Sequence, residues 1–190
     1  EIAAARADRR ADRVRVFEVG RVFKRDESVT PSDSSVRGIA QPMHVAGIVY
    51  GPAARQGWEG KQTPADFYDV KGDVEALLSP YQPTFERVQH PALHHGRSAT
   101  VWLNEQQVGV IGELHPRWRQ QWELAQAPVL FELNLDAVLL RQLPHADLVP
   151  RQQPAERDIA VVVPETGTYA QLMQTVHAAD TAGLLSSAAL

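Results

Sequence analysis

The stretch ATVWLNEQQVGVIGEL, residues 99–114, decides the fold class of this chain. Two apolar segments, 99–103 and 108–114, flank a polar link at 104–107, and this pattern predicts a β-hairpin. Strands joined by so short a link pair antiparallel. The other apolar segments up to residue 143 are also short and closely spaced. We therefore predict an α+β fold with an antiparallel sheet flanked by helices, rather than a doubly wound sheet.

Four further apolar segments predict the remaining strands. They are residues 14–23, 44–50, 85–89 and 129–135. In the first of them, apolar side chains occupy both odd and even positions, which is typical of a strand buried on both faces. Glu18 and Arg21 lie on opposite faces of this predicted strand, where each charge would need a partner. They are candidates for a polar site, and an internal or interface ion pair explains them equally well.

The clearest helix is predicted to begin at Thr63 and to end before Pro80. Thr63 can cap its N-terminus, Pro64 fits the first turn, and Asp66 can complete a weak capping box. Apolar side chains then recur every three or four residues along one face. This spacing predicts a helix that packs against the sheet.

A proline-rich and polar linker separates the last part of the chain. It covers residues 144–154. After it the pattern predicts a strand at 158–163, a helix at 169–179 and the start of a strand at 184–190. We therefore predict two domains, residues 1–145 and residues 146–190.

Composition sets limits on the function. The 190 residues are 44% apolar and 22% charged, as in a globular protein, with a formal net charge of −4. This acidic balance argues against a strong, charge-driven grip on nucleic acid.

The absence of cysteine excludes disulfides, cysteine-ligated zinc and thiol catalysis. No apolar run reaches the ~18 residues of a membrane span, so we expect no membrane partner. The start lacks methionine, and we expect a piece of a longer protein.

The histidines suggest a metal site. His90, His94 and His95 lie close together, and Glu113 and His115 follow on a predicted strand. A metal-dependent hydrolase built on His90, His94 and His115 is one alternative function. Proline and glycine in the same loop argue against a helix that would bring His90 and His94 together, and the His-Glu-x-x-His motif is absent. Loop-capping or core histidines are the favoured interpretation.

The predicted helix carries an acidic flank. Asp66, Asp69 and Asp73 recur at spacings of three and four, and Glu75 follows. Such a flank could hold magnesium together with phosphates. A solvated face, with Glu75 paired to Lys71 four residues away, is the favoured interpretation.

A second alternative function is a freestanding RNA-binding module. The first 25 residues are rich in arginine, and Arg117, Trp118 and Arg119 stand together later in the chain. Aromatic rings next to arginines can stack on bases. Core packing is the more common use of such tryptophans, and the acidic net charge counts against the module.

Motifs that would mark a catalytic or nucleotide site are missing. The sequence has no glycine-rich phosphate loop before a helix and no Gly-x-Ser-x-Gly elbow. We therefore assign no catalytic, cofactor-binding or metal-binding residue in this chain.

Six ordered segments resemble the β subunits of bacterial phenylalanyl-tRNA synthetases. They are VFEVGRVF (16–23), DFYDVKGDVEALL (66–78), HPALHHGRSA (90–99), VGVIGELHP (108–116), FEL (131–133) and RDIAVVV (157–163). Each segment alone is weak, but their order makes the resemblance specific. His95 stands where the family usually has proline.

The resemblance implies a fold for each predicted domain. Residues 1–145 would form a class II aminoacyl-tRNA synthetase-like antiparallel sheet, and residues 146–190 a truncated ferredoxin-like β-α-β segment of the anticodon-binding domain. A working class II site holds ATP with an Arg-x-Glu motif and a Gly-x-Gly-x-Gly-x-x-Arg strand. The predicted strands contain neither motif, so the resemblance implies a catalytic-like domain without a catalytic site.

The resemblance also implies a function. The chain would be a non-catalytic structural part of the β subunit of phenylalanine–tRNA ligase. The α subunit, in a cytoplasmic (αβ)₂ heterotetramer, would attach phenylalanine to tRNA(Phe) with ATP and magnesium. Arg151 and Arg157, near the start of the second domain, are the tRNA-binding candidates. The family's magnesium and editing sites lie upstream of this segment.

Overall fold

A computed structural model describes residues 13–32, 35–54, 63–139, 153, 155–179, 181–182 and 184–189. The chain divides into two compact units, Glu1–Leu143 and Pro144–Leu190. The strands of the first unit are β1 (Val14–Arg21), β2 (Lys24–Arg25), β3 (Ile39–Ala40), β4 (Met43–Tyr50), β5 (Thr84–Arg87), β6 (Leu93–Leu103), β7 (Gln106–Leu114) and β8 (Val129–Asn134). Its helices are α1 (Phe67–Leu78), α2 (Pro116–Gln121) and α3 (Leu135–Leu139), and α4 (Tyr169–Ala178) lies in the second unit.

Six of the strands form one antiparallel sheet in the order β1-β4-β8-β7-β6-β5. This confirms the predicted α+β class and the hairpin at 99–114. The hairpin turn is tighter than the predicted link, because Asn104 and Glu105 alone connect the strands, with φ of 48° and 65°. Positive φ at both central residues is the geometry that matches the twist of paired strands. Strands β2 and β3 form a separate two-stranded ribbon.

Helix α1 covers one face of the sheet. Its side chains Val70 and Val74 are fully buried and belong to the same cluster as Val101, Ile111 and Leu133 of the sheet. Residues on successive strand positions point to opposite faces, so these odd-numbered sheet residues mark the face that α1 covers. The main hydrophobic core therefore lies between α1 and the sheet.

The opposite face of the sheet is covered only at one end in the described part of the chain. There Val14, Tyr50 and Leu114 pack with Leu124 and the half-buried ring of Trp118. We call the remainder the open face. It is formed by the even-numbered residues of β1, β4 and β8: Val16, Glu18, Ala46, Ile48, Leu130 and Glu132.

The start of α1 differs from the prediction. The N-cap is Asp66, whose carboxylate accepts hydrogen bonds from the backbone of Tyr68 (2.8 Å) and Asp69 (3.1 Å). Asp69 returns a bond to the backbone N–H of Asp66 at 2.8 Å, which completes a capping box. The prediction of Thr63 as the cap was wrong, because the helix begins at Phe67 and its first free N–H groups, those of Tyr68 and Asp69, bond to the Asp66 carboxylate.

Strand β1 is not buried on both faces, as the sequence predicted. It is an edge strand whose one partner among the described residues is β4. Val14 is buried, but Phe17 is 76% exposed and Val19 is 45% exposed. The apolar composition of both faces suggested double burial, but α1 packs mainly over β7 and β8 and leaves Phe17 and Val19 of β1 exposed.

The predicted strands of the second unit are absent from its described residues. Helix α4 is present, with Thr168 and Gln171 forming its capping box. Residues 158–163 and 184–189 are irregular, and Ile159, Val162 and Leu184 are largely exposed. A strand needs a neighbour for its backbone N–H and C=O groups, and the described part of the unit offers none. The predicted boundary at 145/146 lies outside the described residues, so the two-domain assignment stays a prediction.

No helix in the described ranges is both long enough and apolar enough to cross a lipid bilayer.

Candidate functional site

The open face contains a shallow cavity across three paired strands. The segments 16–18, 46–48 and 130–132 line it, and its volume is about 420 Å³. Val16, Ile48 and Leu130 form a half-buried apolar floor. This concave, apolar surface has polar groups at its edge, which is the general form of a binding site.

Two carboxylates flank the floor. Glu18 and Glu132 both pair with Ala46, from β1 on one side and β8 on the other. At the usual strand spacing their Cβ atoms are about 10 Å apart on the same face. Ala46 between them leaves the space above the sheet open, because its side chain is a single methyl group.

One of these two carboxylates, that of Glu132, is held in place by a hydrogen bond to the imidazole of His44. Nδ1 of His44 lies 2.6 Å from Oε1 of Glu132, and the two side chains are 10% and 45% exposed. The bond joins β4 to β8 diagonally across the register, since His44 pairs with Asn134 and Ala46 with Glu132. Sequence patterns alone do not predict this pair. The available signal was a histidine in an otherwise apolar strand, which needs a partner when it is buried.

The charge of the open face does not suit a nucleotide. Its positions on β1, β4 and β8 carry the carboxylates of Glu18 and Glu132 and neither lysine nor arginine. Proteins hold a triphosphate with arginine, lysine, metal ions and backbone N–H groups. Carboxylates at this spacing would repel the phosphates, so these residues do not fit ATP.

A nearby backbone N–H donates a hydrogen bond to each of His90, His94 and His115. Nδ1 of His90 accepts from the N–H of Ala92 at 3.2 Å, and Nδ1 of His94 accepts from Gly96 at 3.0 Å. Nδ1 of His115 likewise accepts from the N–H of Arg117 at 3.1 Å and caps α2. In a neutral ring that accepts at Nδ1, the proton is on Nε2, so neither nitrogen offers a free lone pair. The capping interpretation is confirmed.

The other groups of the candidate metal site are also engaged. The His95 ring stacks on the His94 ring with centroids 4.8 Å apart. Both carboxylate oxygens of Glu113 accept from Nη1 of Arg97, at 3.0 and 2.7 Å. Within the described ranges, no three His, Cys, Asp or Glu side chains converge into a possible metal site. The structure therefore does not bring His90, His94 and His115 together as ligands.

The acidic flank of α1 has structural partners throughout. Asp66 and Asp69 form the capping box, Asp73 pairs with Arg15 of β1, and Glu75 pairs with Lys71. The solvated, paired interpretation is confirmed. The Arg15–Asp73 pair also joins the edge strand to the helix that covers the sheet.

The arginines and tryptophans considered for RNA binding also have partners within the protein. The Arg117 guanidinium lies over the Trp118 ring at 4.4 Å and donates to the Pro91 carbonyl, and Arg119 donates to the carbonyls of Leu124 and Ala125. The Trp118 and Trp122 rings stack at 5.8 Å. These contacts fix α2 and the following turn. The arginines before residue 13 lie outside the described residues.

The two tRNA-binding candidates are only partly described. Arg157 is exposed, and its Nη1 donates to the Glu156 carbonyl at 2.8 Å. Arg151 lies outside the described residues. Arg157 is therefore accessible in the described part of the second unit.

Comparison with known proteins decides the family. The model of the family described as “Phenylalanyl tRNA synthetase beta chain CLM domain” matches residues 1–135. The chain belongs to this family. It is 56% identical over 156 residues to a phenylalanine–tRNA ligase β subunit of Ralstonia nicotianae, which covers 82% of this chain and 19% of the relative.

Two further members of the family extend the similarity. The β subunit of Cupriavidus pinatubonensis is 49% identical over 90% of this chain and 21% of its own length. That of Chromobacterium violaceum is 44% identical over 100% of this chain and 23% of its own length. The family resemblance predicted from the six segments is confirmed. The chain spans about a fifth of the length of these relatives.

Proposed function

We propose that this chain is a non-catalytic structural part of the β subunit of phenylalanine–tRNA ligase. It would support the ATP-dependent attachment of phenylalanine to tRNA(Phe) by the assembled subunits. The observation that carries the proposal is the open face of the sheet. Its carboxylates Glu18 and Glu132 flank an apolar floor that has no cation for a triphosphate.

A class II synthetase-like sheet is part of the proposal. Its support is the antiparallel six-stranded sheet, one of whose faces is covered by a helix while the other stays open across three strands. In such a domain the open face would be the position of the ancestral nucleotide pocket. One polar pair there, His44 and Glu132, bonds within the sheet.

The catalytic chemistry is then assigned to the partner. We propose an (αβ)₂ assembly in the cytoplasm, in which the α subunit binds ATP, magnesium and phenylalanine and forms the adenylate. This chain would contribute scaffold and subunit interface. In the second unit, the accessible guanidinium of Arg157 supports a tRNA contact, and Arg151 is proposed with it.

Reconstitution tests the proposal. The complete β subunit that contains this chain, mixed with its α subunit, should charge tRNA with phenylalanine. The substitution pair Glu18→Gln and Glu132→Gln in β should leave the kcat of charging within about twofold, because the open face performs no chemistry. A loss of about 10²-fold or more, the size expected for a catalytic group, in a β subunit that still assembles with α would contradict the proposal.

A further inference from the structure

A second cavity of the first unit lies beside the end of β7 and shares no lining residue with the cavity of the open face. Its volume is about 290 Å³, at the lower end of the range of about 300–1,000 Å³ for ligand pockets. Residues of the segments 64–65, 113–116 and 125–127 line it, together with His94, Arg97 and Arg119. We call it the arginine cavity. A cavity of this size suits a small molecule.

An ion pair holds one guanidinium of the arginine cavity in place. Nη1 of Arg97 donates to both carboxylate oxygens of Glu113, whose side chain is only 16% exposed. Nε and Nη2 of Arg97 have no hydrogen-bond partner in the described part of the chain. A planar guanidinium presents these two groups side by side, and such an edge matches the two oxygens of a carboxylate or a phosphate.

The second guanidinium has an uncompensated charge. Nε and Nη2 of Arg119 donate to the carbonyls of Leu124 and Ala125, at 3.2 and 2.6 Å. Both acceptors are neutral, and no carboxylate within the described ranges pairs with Arg119. The two bonds fix the side chain against the turn after α2, and they leave Nη1 available to a ligand.

The half-buried His94 adds a neutral donor to the lining. Its Nδ1 accepts from the N–H of Gly96, so the proton of the neutral ring is on Nε2. No described residue accepts a hydrogen bond from this group. With His94 neutral, the two arginines and Glu113 give the lining a formal net charge of +1.

These observations favour an anionic ligand. We propose that the arginine cavity binds a small molecule through an oxyanion group, a carboxylate or a phosphoryl group. The free N–H groups of Arg97 and Arg119 bind its oxygens in charge-assisted hydrogen bonds, and the apolar side chains in the lining, such as Ala65 and Leu114, contact the rest of the molecule. A cation fits poorly, because the carboxylate of Glu113 already accepts from Arg97. The site does not depend on the function proposed above.

Titration of the 190-residue chain with sodium phosphate and, separately, with sodium acetate tests this inference. Sodium chloride keeps the ionic strength constant, because screening alone changes the effect of exposed charges. We expect at least one anion to cause saturable shifts in the NMR signals of the Nε–H groups of Arg97 and Arg119. Saturation by phosphate identifies a phosphoryl ligand, and saturation by acetate alone identifies a carboxylate.

Three variants locate the binding. Arg119→Gln should weaken it by at least about tenfold, as expected for the loss of a hydrogen bond to a charged group. Ala125→Glu adds a carboxylate to the lining and leaves both arginines in place; it should weaken binding by a similar factor, and more strongly at low salt. Arg87→Gln is the matched control, because Arg87 is an exposed arginine of β5 outside the cavity. It should change the affinity by less than about twofold.

Three results would overturn the inference. The first is a wild-type chain that neither anion saturates. The second is binding that persists in both Arg119→Gln and Ala125→Glu. The third is an equal loss in Arg87→Gln, which would show a non-specific response to the charge of the chain. Each of these results leaves the proposed function intact, because that proposal rests on the open face.

Discussion

Nδ1 of His44 bonds to Oε1 of Glu132 at 2.6 Å and ties the second strand of the sheet to the third, across the open face. The imidazole is nearly buried and the carboxylate is half exposed. The bond engages both polar side chains within the protein, as expected of a structural scaffold. Substitution of either residue can measure what the bond contributes to stability.

Glu132→Ala should destabilise the first unit. The substitution leaves the buried Nδ1 of His44 without a partner, and the cost of an unsatisfied buried group is about 1–3 kcal/mol. Urea denaturation followed by tryptophan fluorescence measures it. Glu86→Ala, which removes another exposed carboxylate, on β5, is the control and should change the free energy of unfolding by less than about 0.5 kcal/mol. Equal effects would show that the His44–Glu132 bond contributes nothing.

Substitution of Asp66, and not of Thr63, should destabilise helix α1. Asp66→Ala removes the acceptor for two backbone N–H groups, and loss of an N-cap costs about 1 kcal/mol. Thr63→Ala should be neutral because the N-cap, Asp66, lies three residues later. Thermal unfolding of both variants tests the assignment. A larger shift for Thr63→Ala would restore the start that the sequence first suggested.

Gly109→Ala should be among the most damaging single changes in the sheet. A Cβ there would lie 2.1 Å from the backbone oxygen of Glu132 and 2.8 Å from Cα of Leu133, so β7 and β8 would have to separate. We expect a loss of about 2 kcal/mol or more, measured by urea denaturation.

Gly72→Ala is the matched control for that change. Gly72 is exposed on α1, and a Cβ there meets no atom within 4 Å. The substitution should stabilise the helix by about 0.5–1 kcal/mol. If Gly109→Ala had the same sign, the close approach of β7 to β8 would be wrong.

His115 should tolerate asparagine but not alanine. An asparagine Oδ1 can replace Nδ1 as acceptor for the Arg117 N–H, and asparagine is a favoured N-cap. Alanine should cost about 1 kcal/mol. Thermal unfolding with and without added zinc separates the roles. A cap gives no zinc-dependent rise in Tm, whereas a metal ligand would give a rise that both substitutions abolish.

Asp26 should titrate below an ordinary aspartate. The Ser28 hydroxyl, and then the Ser28 backbone N–H, donate to its carboxylate and lower its pKa. These bonds favour the charged form, so their contribution to stability is present above the usual aspartate pKa and is lost as pH falls through the lowered value. Ser28→Ala should raise the pKa in an NMR titration, and Ser28→Thr should keep it low. An unchanged pKa in Ser28→Ala would contradict this cause.

Much of the first unit follows from local pattern. The hairpin around Asn104 and the stripe of Val70 and Val74 on α1 each carry a pattern that is typical of one element type. The family resemblance also rested on short local segments. These features are properties of neighbouring residues, so the sequence alone could predict them.

The remaining features depend on what lies next to a residue in space. Val14–Arg21 has the composition of a central strand, but its position at the edge of the sheet leaves Phe17 exposed. Residues 158–163 have a strand pattern but lack a neighbouring strand among the described residues. His44 and Glu132 are distant in sequence, and only the pairing of β4 with β8 brings them together.

Binding of ATP by the isolated 190-residue chain tests the central claim most directly. Isothermal titration with ATP and magnesium, followed by a phenylalanine-dependent pyrophosphate exchange assay, measures both binding and adenylate formation. We predict no saturable ATP binding and no exchange, because carboxylates occupy the open face. Stoichiometric ATP binding that is accompanied by exchange, and lost in a variant of the open face such as Ala46→Trp, would contradict the account.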